Sequence, residues 1–259
     1  MSINSTLKAA AVLVSLVAVV GGVSASPSGP ARTVRAITSM ATRVALQELA
    51  DAWKQRTGVA VSIEAAGGVD VAKRLRAGET FDLVFLGSDA LDSVIAAGDA
   101  IAASKTDLFR SVVAAAIRKG AVKPDISTET ALVEAVRSAR SIGYSTGPSG
   151  LALAALFGRW GIAAEIKPRI VVPKPGIPVG SLVASGEVEL GFQQLSEFIH
   201  VEGIEILGGL PPPAEIVTIF SGALCAKGAN AADAKAFLDF AASPDATEAK
   251  LKQGLQPAK

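Results

Sequence analysis

Val34-Arg35-Ala36-Ile37, then Thr38-Ser39-Met40-Ala41, then Thr42 to Arg56 is the stretch that decides the fold. The first four residues read as a strand and the next four as a polar turn. The run from Thr42 carries apolar residues at Val44, Leu46, Leu49, Ala50 and Trp53, the spacing of a helix buried on one side. Gly58 stops that helix. The unit then repeats outward. Val59 to Ile63 alternates as a strand, Gly67-Gly68 breaks it, and Val69 to Ala77 resumes helical spacing. Phe81 to Leu86 is a third strand, with Gly87-Ser88-Asp89 opening another helix. Strands alternating with helices across short polar turns predict a mostly parallel α/β sheet flanked by helices.

The second half carries the same theme on different turns. Ser141 to Tyr144 reads as a strand, Thr146-Gly147-Pro148-Ser149-Gly150 as its turn, and Leu151 to Trp160 as a helix. Ile170-Val171-Val172 leads through a Pro-rich segment into a helix at Val179 to Ala184, and Val188 to Gln194 is the next strand. A strand over Glu215 to Ala226 and a helix over Ala231 to Ala241 close the pattern. Long apolar strands near Ser111 to Arg118 and near Ile216 to Ala226 predict two lobes with two crossings between them. The expected division is residues 31–112 with 220–259, and 113–219.

The chain has 259 residues, with 25 Lys+Arg against 24 Asp+Glu, one Cys and one His. So even a balance offers no broad cationic face, which argues against nucleic acid or an anionic membrane as partner. A single Cys excludes a disulfide framework, and a single His excludes a His-cluster metal site. No metal and no cofactor are expected. Cys225, in the apolar run Phe220 to Ala226, reads as packing.

The N-terminus has Lys8 before an uncharged stretch from Ala9 to Val23 and then Val23-Ser24-Ala25. One cation, a short apolar core and a small-x-small site read as a secretory signal peptide over residues 1–25. Its removal takes away Lys8 alone and leaves 24 cations against 24 anions. The expectation is an exported, periplasmic, monomeric protein that does not insert in the membrane after cleavage.

In open α/β sheets, ligands bind beyond the carboxyl ends of the strands, where helix N-termini offer unpaired N–H groups. Three turns fit: Ser39-Met40-Ala41-Thr42, Gly67-Gly68-Val69, and Thr146-Gly147-Pro148-Ser149-Gly150. The competing explanation is ordinary N-capping.

The order of Ile37-Thr38-Ser39-Met40-Ala41, Thr57-Gly58-Val59-Ala60-Val61, Gly67-Gly68, Phe81 to Phe85, Gly186 to Gly191 and Ala236 to Phe240 resembles the periplasmic molybdate-binding proteins. Those are type II periplasmic binding proteins. The resemblance implies two lobes, a two-stranded hinge and a small anionic ligand between the lobes. It also implies Ser hydroxyls from two turns and a Tyr on a late strand as oxyanion ligands. Ser39 matches the first turn, but Gly67-Gly68 replaces the second Ser turn, and the Tyr position falls in Phe192-Gln193-Gln194. Two hydroxyl donors are missing, which disfavours molybdate.

Cations stand close to these turns in sequence. Arg43 follows the first, and Lys73 and Arg74 follow the second, as a carboxylate ligand would require. Solvated helix faces are the alternative for all three; Arg76 and Arg110 read as surface. Ile142 to Gly150 and Gly191 to Glu197 are similar to the aconitate isomerase branch of this fold. That likeness implies a cofactor-independent exchange of trans- and cis-aconitate by an allylic proton shift. Its binding set would be Ser39, Met40, Arg43, Gly67, Gly68, Lys73, Arg74, Thr146, Gly147, Ser149 and Gln193. Candidates for the acid/base are Tyr144, the only Tyr, with Ser39, Lys73 and Glu197; residue type does not choose among them. His200 reads as structural or exposed. The alternative function is a receptor for an ABC permease, binding an oxyanion or small organic acid without chemistry.

Overall fold

A computed structural model describes Met1 and residues 33–174 and 177–258. The signal-peptide reading lies outside these residues. In chain order the elements are β1 (Thr33–Ser39), α1 (Arg43–Thr57), β2 (Ala60–Ala66), α2 (Gly68–Arg76), β3 (Leu83–Gly87), α3 (Ser88–Ala96) and β4 (Thr106–Arg118). There follow α4 (Glu129–Ser138), β5 (Ile142–Tyr144), α5 (Pro148–Arg159), α6 (Ala163–Ile166), β6 (Ile170–Val171) and α7 (Val179–Ser185). The chain closes with β7 (Leu190–Gln194), α8 (Leu195–Phe198), β8 (Ile204–Gly209), β9 (Val217–Leu224), α9 (Ala231–Ala242), α10 (Thr247–Lys252) and β10 (Gln256–Pro257).

The sheet runs β2-β1-β3-β9-β4-β7-β5-β6, with β8 and β10 also paired to β4. The βα repeats make parallel pairs: β1 with β2 and β3, and β5 with β6 and β7. β9 and β4 run antiparallel to their neighbours. β4 is the seam. Its residues from Thr106 to Val112 pair with β9, whereas Val113 to Arg118 pair with β7 and β8. β9 itself stays in the first half of the sheet, and the segment that crosses beside β4 is Leu210 to Ile216. Val113 holds both its ends, donating to Ile216 O at 2.9 Å and accepting from Leu210 N at 3.3 Å.

Each half of the sheet is covered on both faces. In the first half, Val34, Ala36, Phe85 and Phe220 pack against α1 and α9, while Ile37, Val84 and Ala223 pack against α2 and α3. In the second, Ile142, Leu190 and Phe192 face α4, α5 and α6, and Ala114, Ala116 and Val188 face α7 and α8. Burial of each such large side chain contributes about 1.5–3 kcal/mol, and two-sided burial is why these strands are continuous apolar runs. The α7 face demands glycine: a Cβ on Gly191 would lie 2.4 Å from Val183 Cγ2. A larger residue there would lift α7 off β7.

α4 and β8 are elements that the sequence pattern did not predict. α4 begins with a side-chain cap, Ala131 N donating to Thr128 Oγ1 at 3.1 Å. No described helix is long and apolar enough to cross a membrane.

Candidate functional site

At the carboxyl end of β1, Ser39 adopts extended backbone and the chain enters a single 3₁₀ turn, Met40–Thr42, before α1. Gly67 and Gly87 play the same part before α2 and α3, and Gly147, Pro178 and Gln194 before α5, α7 and α8. None of these entry residues makes a side-chain cap bond, in contrast to Thr128 at α4. Most described helices share this lack, so it does not by itself mark the turns singled out by sequence. They leave backbone N–H groups and the positive end of each longer helix uncommitted.

These ends converge from both halves. A Cβ placed on Gly87 would lie 3.6 Å from Thr218 Cγ2 and 3.7 Å from Pro148 Cγ, so the α3 and α5 entries meet over β9. Gln194, the last residue of β7, donates from Nε2 to Thr218 Oγ1 at 2.8 Å. Ser111 stands directly opposite Thr218 across the β4–β9 pair, on the same face. α8 packs against the 3₁₀ turn after Ser39. The turn before α5 is held tightly, since a Cβ on Gly150 would fall 1.5 Å from the Ser145 carbonyl oxygen.

Four buried oxygens at this junction have no hydrogen-bond partner: Ser39 Oγ, Ser111 Oγ, Gln194 Oε1 and Ser196 Oγ. A buried polar atom without a partner costs roughly 1–3 kcal/mol, so such atoms are rare unless a ligand or solvent meets them. Their concentration where uncapped helix ends meet marks the junction as the candidate site. Its donors are hydroxyls, amides and N–H groups, a set suited to anions.

The predicted residues divide. Ser39, Gly67, Gly68 and Gly147 stand at uncapped helix entries. Met40 is 39% exposed on the 3₁₀ turn, Thr146 is exposed, and Ser149 is buried in the first turn of α5. Tyr144 is half-buried with its ring edge-on to Phe157, and burial pushes its phenol above the ordinary value.

The three cations lie elsewhere. Arg74 is in the last turn of α2, where Glu79 and Glu64 hold its guanidinium at 2.6 and 2.8 Å and raise its pKa further. Lys73 is 71% exposed at the side chain, 3.8 Å from Asp70. Asp70 itself would be 3.3 Å from a Cβ on Gly67, so the charge beside the α2 entry is negative. Arg43 lines an open groove along α1 with Gln47, Asp51 and Lys252.

Gln193 is also committed. Its Oε1 accepts from Gly180 N at 3.3 Å and its Nε2 donates to Glu197 Oε1 at 2.8 Å. The neighbour Gln194 projects to the other face and reaches the junction. Gln194, Ser111, Thr218 and Ser196 are the site residues that sequence reading missed. Strand alternation could have found one of them, because Leu190 and Phe192 share the Gln194 face.

Glu197 is held by that single amide. Burial, opposed only by the Gln193 hydrogen bond, pushes its carboxyl up to about 7. Cys225 is buried core, its thiol pushed up to about 12 by burial and by Asp82 and Asp99. His200 Nε2 lies 2.5 Å from Gln253 Oε1, a structural tie to α10. Among the described residues no group of three or more His, Cys, Asp or Glu could hold a metal ion.

The chain belongs to the bacterial extracellular solute-binding proteins, whose family model matches residues 34–256. An aconitate isomerase from Pseudomonas sp. is 37% identical over 236 residues, covering 88% of this chain and 89% of that one. The periplasmic molybdate-binding protein of Azotobacter vinelandii superposes with a TM-score of 0.71 at 22% identity, over 86% of this chain and 98% of that one. The sulfate-binding protein SubI of Mycobacterium tuberculosis gives 0.73 at 16% identity, over 88% and 87%. The type II periplasmic binding protein fold expected from sequence is the fold of the chain.

Proposed function

We propose that this protein is a cofactor-independent isomerase that interconverts trans- and cis-aconitate. The observation that carries the reading is its 37% identity to an aconitate isomerase across nearly the whole of both chains. In this reading the junction is a cleft between two lobes, on the periplasmic side of the membrane after loss of residues 1–25. The reaction is a 1,3 proton shift. A base takes a proton from the methylene carbon, and the C–H electron pair delocalises through the allyl unit into a carboxylate. A proton then returns at the former vinyl carbon. Substrate carboxylates would be met by N–H groups at the entries to α3 and α5 and by the hydroxyls of Ser39 and Ser196. Tyr144, kept protonated by burial, suits a hydrogen-bond donor rather than a base.

A second reading has its own support. Family membership and likeness to oxyanion-binding structures favour a receptor that delivers a small anion to an ABC permease. Incubation of the purified protein with trans-aconitate, followed by NMR, separates the two. The expected result is accumulation of the cis isomer. No turnover, together with thermal stabilisation by molybdate or sulfate, would establish the receptor and overturn the isomerase.

A further inference from the structure

We propose that Glu197 is the acid/base group that carries the proton, set on the short helix α8 one residue after Ser196 and bonded to the Gln193 that ties β7 to the first turn of α7. The inference rests on the isomerase reading and adds the group that this reading lacks.

Three observations support the placement. Glu197 follows Gln194 and Ser196, both with a buried unpartnered oxygen, on the helix that packs against the turn after Ser39. One of its oxygens accepts from Gln193 Nε2, which is itself anchored through Gly180 N, so the carboxyl is oriented through a neutral relay. The other oxygen takes no hydrogen bond among the described residues.

Charges on the surrounding elements are engaged elsewhere. On β4, Arg110 pairs with Glu215, Asp107 accepts from Ser221, and Arg118 lies at the far end near Gly186. On β8, Glu205 pairs with Lys123, and His200 beyond α8 is tied to Gln253. Arg43, after the 3₁₀ turn, lines the groove along α1. No cation therefore draws the proton off Glu197, and burial holds the group near neutrality. A carboxyl in that range can take a proton and return it at the pH of the medium.

The other candidates serve less well. Tyr144 is shifted away from ionisation, Ser39 has no base beside it, and Lys73 is an exposed partner of Asp70. The step balances. The Glu197 carboxylate accepts the methylene proton, the C–H pair enters the allyl–carboxylate system, and the carboxylic acid returns the proton to the distal carbon. Nothing is oxidised or reduced, and the carboxylate is regenerated.

The test compares the parent, Glu197→Gln and Glu197→Asp in trans-aconitate turnover from pH 5 to 9, with substrate-induced thermal stabilisation as the measure of binding. Glu197→Gln should lower kcat by about 10²–10⁴-fold while still being stabilised by aconitate. Parent activity should rise with pH through a limb near 7 that is absent from the residual activity of the Gln variant. Glu197→Asp should keep the limb with a reduced kcat. Should the Gln variant fail to fold, the Asp variant decides: unchanged kcat and an unchanged limb would overturn the role. A folded Gln variant within threefold of the parent overturns Glu197 alone and leaves the isomerase standing. A parent without turnover overturns both.

Discussion

Asp82 and Glu197 are carboxyls removed from water at opposite ends of the strands, and they are driven in opposite directions. Asp82 sits just before β3, 4% exposed, at the start of the strands. Burial alone would raise its pKa, but it accepts from Arg35 N, Ala229 N, Asn230 N and Asn230 Nδ2 at 2.8–3.1 Å, and the net shift is downward. Glu197, just past the end of β7, has one neutral donor and is pushed up to about 7. Burial drives both upward, and the number of donors decides the net direction. At one end of the strands the saturated carboxylate fastens the entry to α9 to β1. At the other, the undersaturated one is left able to exchange its proton.

The comparison is broken most directly at Asp82. Asp82→Ala leaves its donors without an acceptor and should lower stability in urea unfolding by about 3 kcal/mol. Because its folded pKa is depressed, Asp82 contributes stability above its unfolded value of 3.8, which is lost as pH falls through the lower folded value. The parent should therefore approach the variant in strongly acidic buffer. A loss under 1 kcal/mol at pH 7 would show that the four bonds do not hold the loop.

Glu197 carries the opposite sign. Its folded pKa is raised from 4.5 to about 7, so the folded state retains a proton that the unfolded state has released. The resulting stability cost grows as pH rises through that window and is complete above it. Glu197→Gln should gain roughly 1–3 kcal/mol at pH 8, and the gain should vanish at pH 4. A pH-independent difference would mean that the Glu197 carboxyl titrates like a solvated one.

Much of the frame was legible because periodicity is local. The spacing at Val44, Leu46, Leu49 and Ala50 places α1 within a residue of its bounds, and Gly58 closes it in the left-handed region. The entries at Ser39, Gly67 and Gly147 were legible for the same reason. The cations were not, because nearness in sequence is not nearness to a helix end. Lys73 lies five residues after Gly68, a rise of about 7.5 Å along the axis. Arg74 is claimed by Glu64 from β2 and by Glu79 beyond the helix, a competition between segments that no single stretch reveals. Ser111 and Thr218 meet only because β4 and β9 pair antiparallel, and one step of strand alternation separates Gln193 from Gln194.

The finest test of the contrast changes the donor and leaves the carboxyl in place. Gln193→Leu removes the one hydrogen bond that lowers Glu197, and a bond worth about 1 kcal/mol corresponds to roughly 0.7 of a pKa unit. The activity limb should move upward by about that amount, with kcat on the plateau changed less than by Glu197→Gln. Gly180 N also loses its acceptor, so stability should fall by about 1 kcal/mol. These two consequences separate the roles of the amide. A stability loss with an unmoved limb would make Gln193 a tie between β7 and α7 only. A moved limb would show that the same side chain also sets the pH at which the carboxyl gives up its proton, which is the property that distinguishes Glu197 from Asp82.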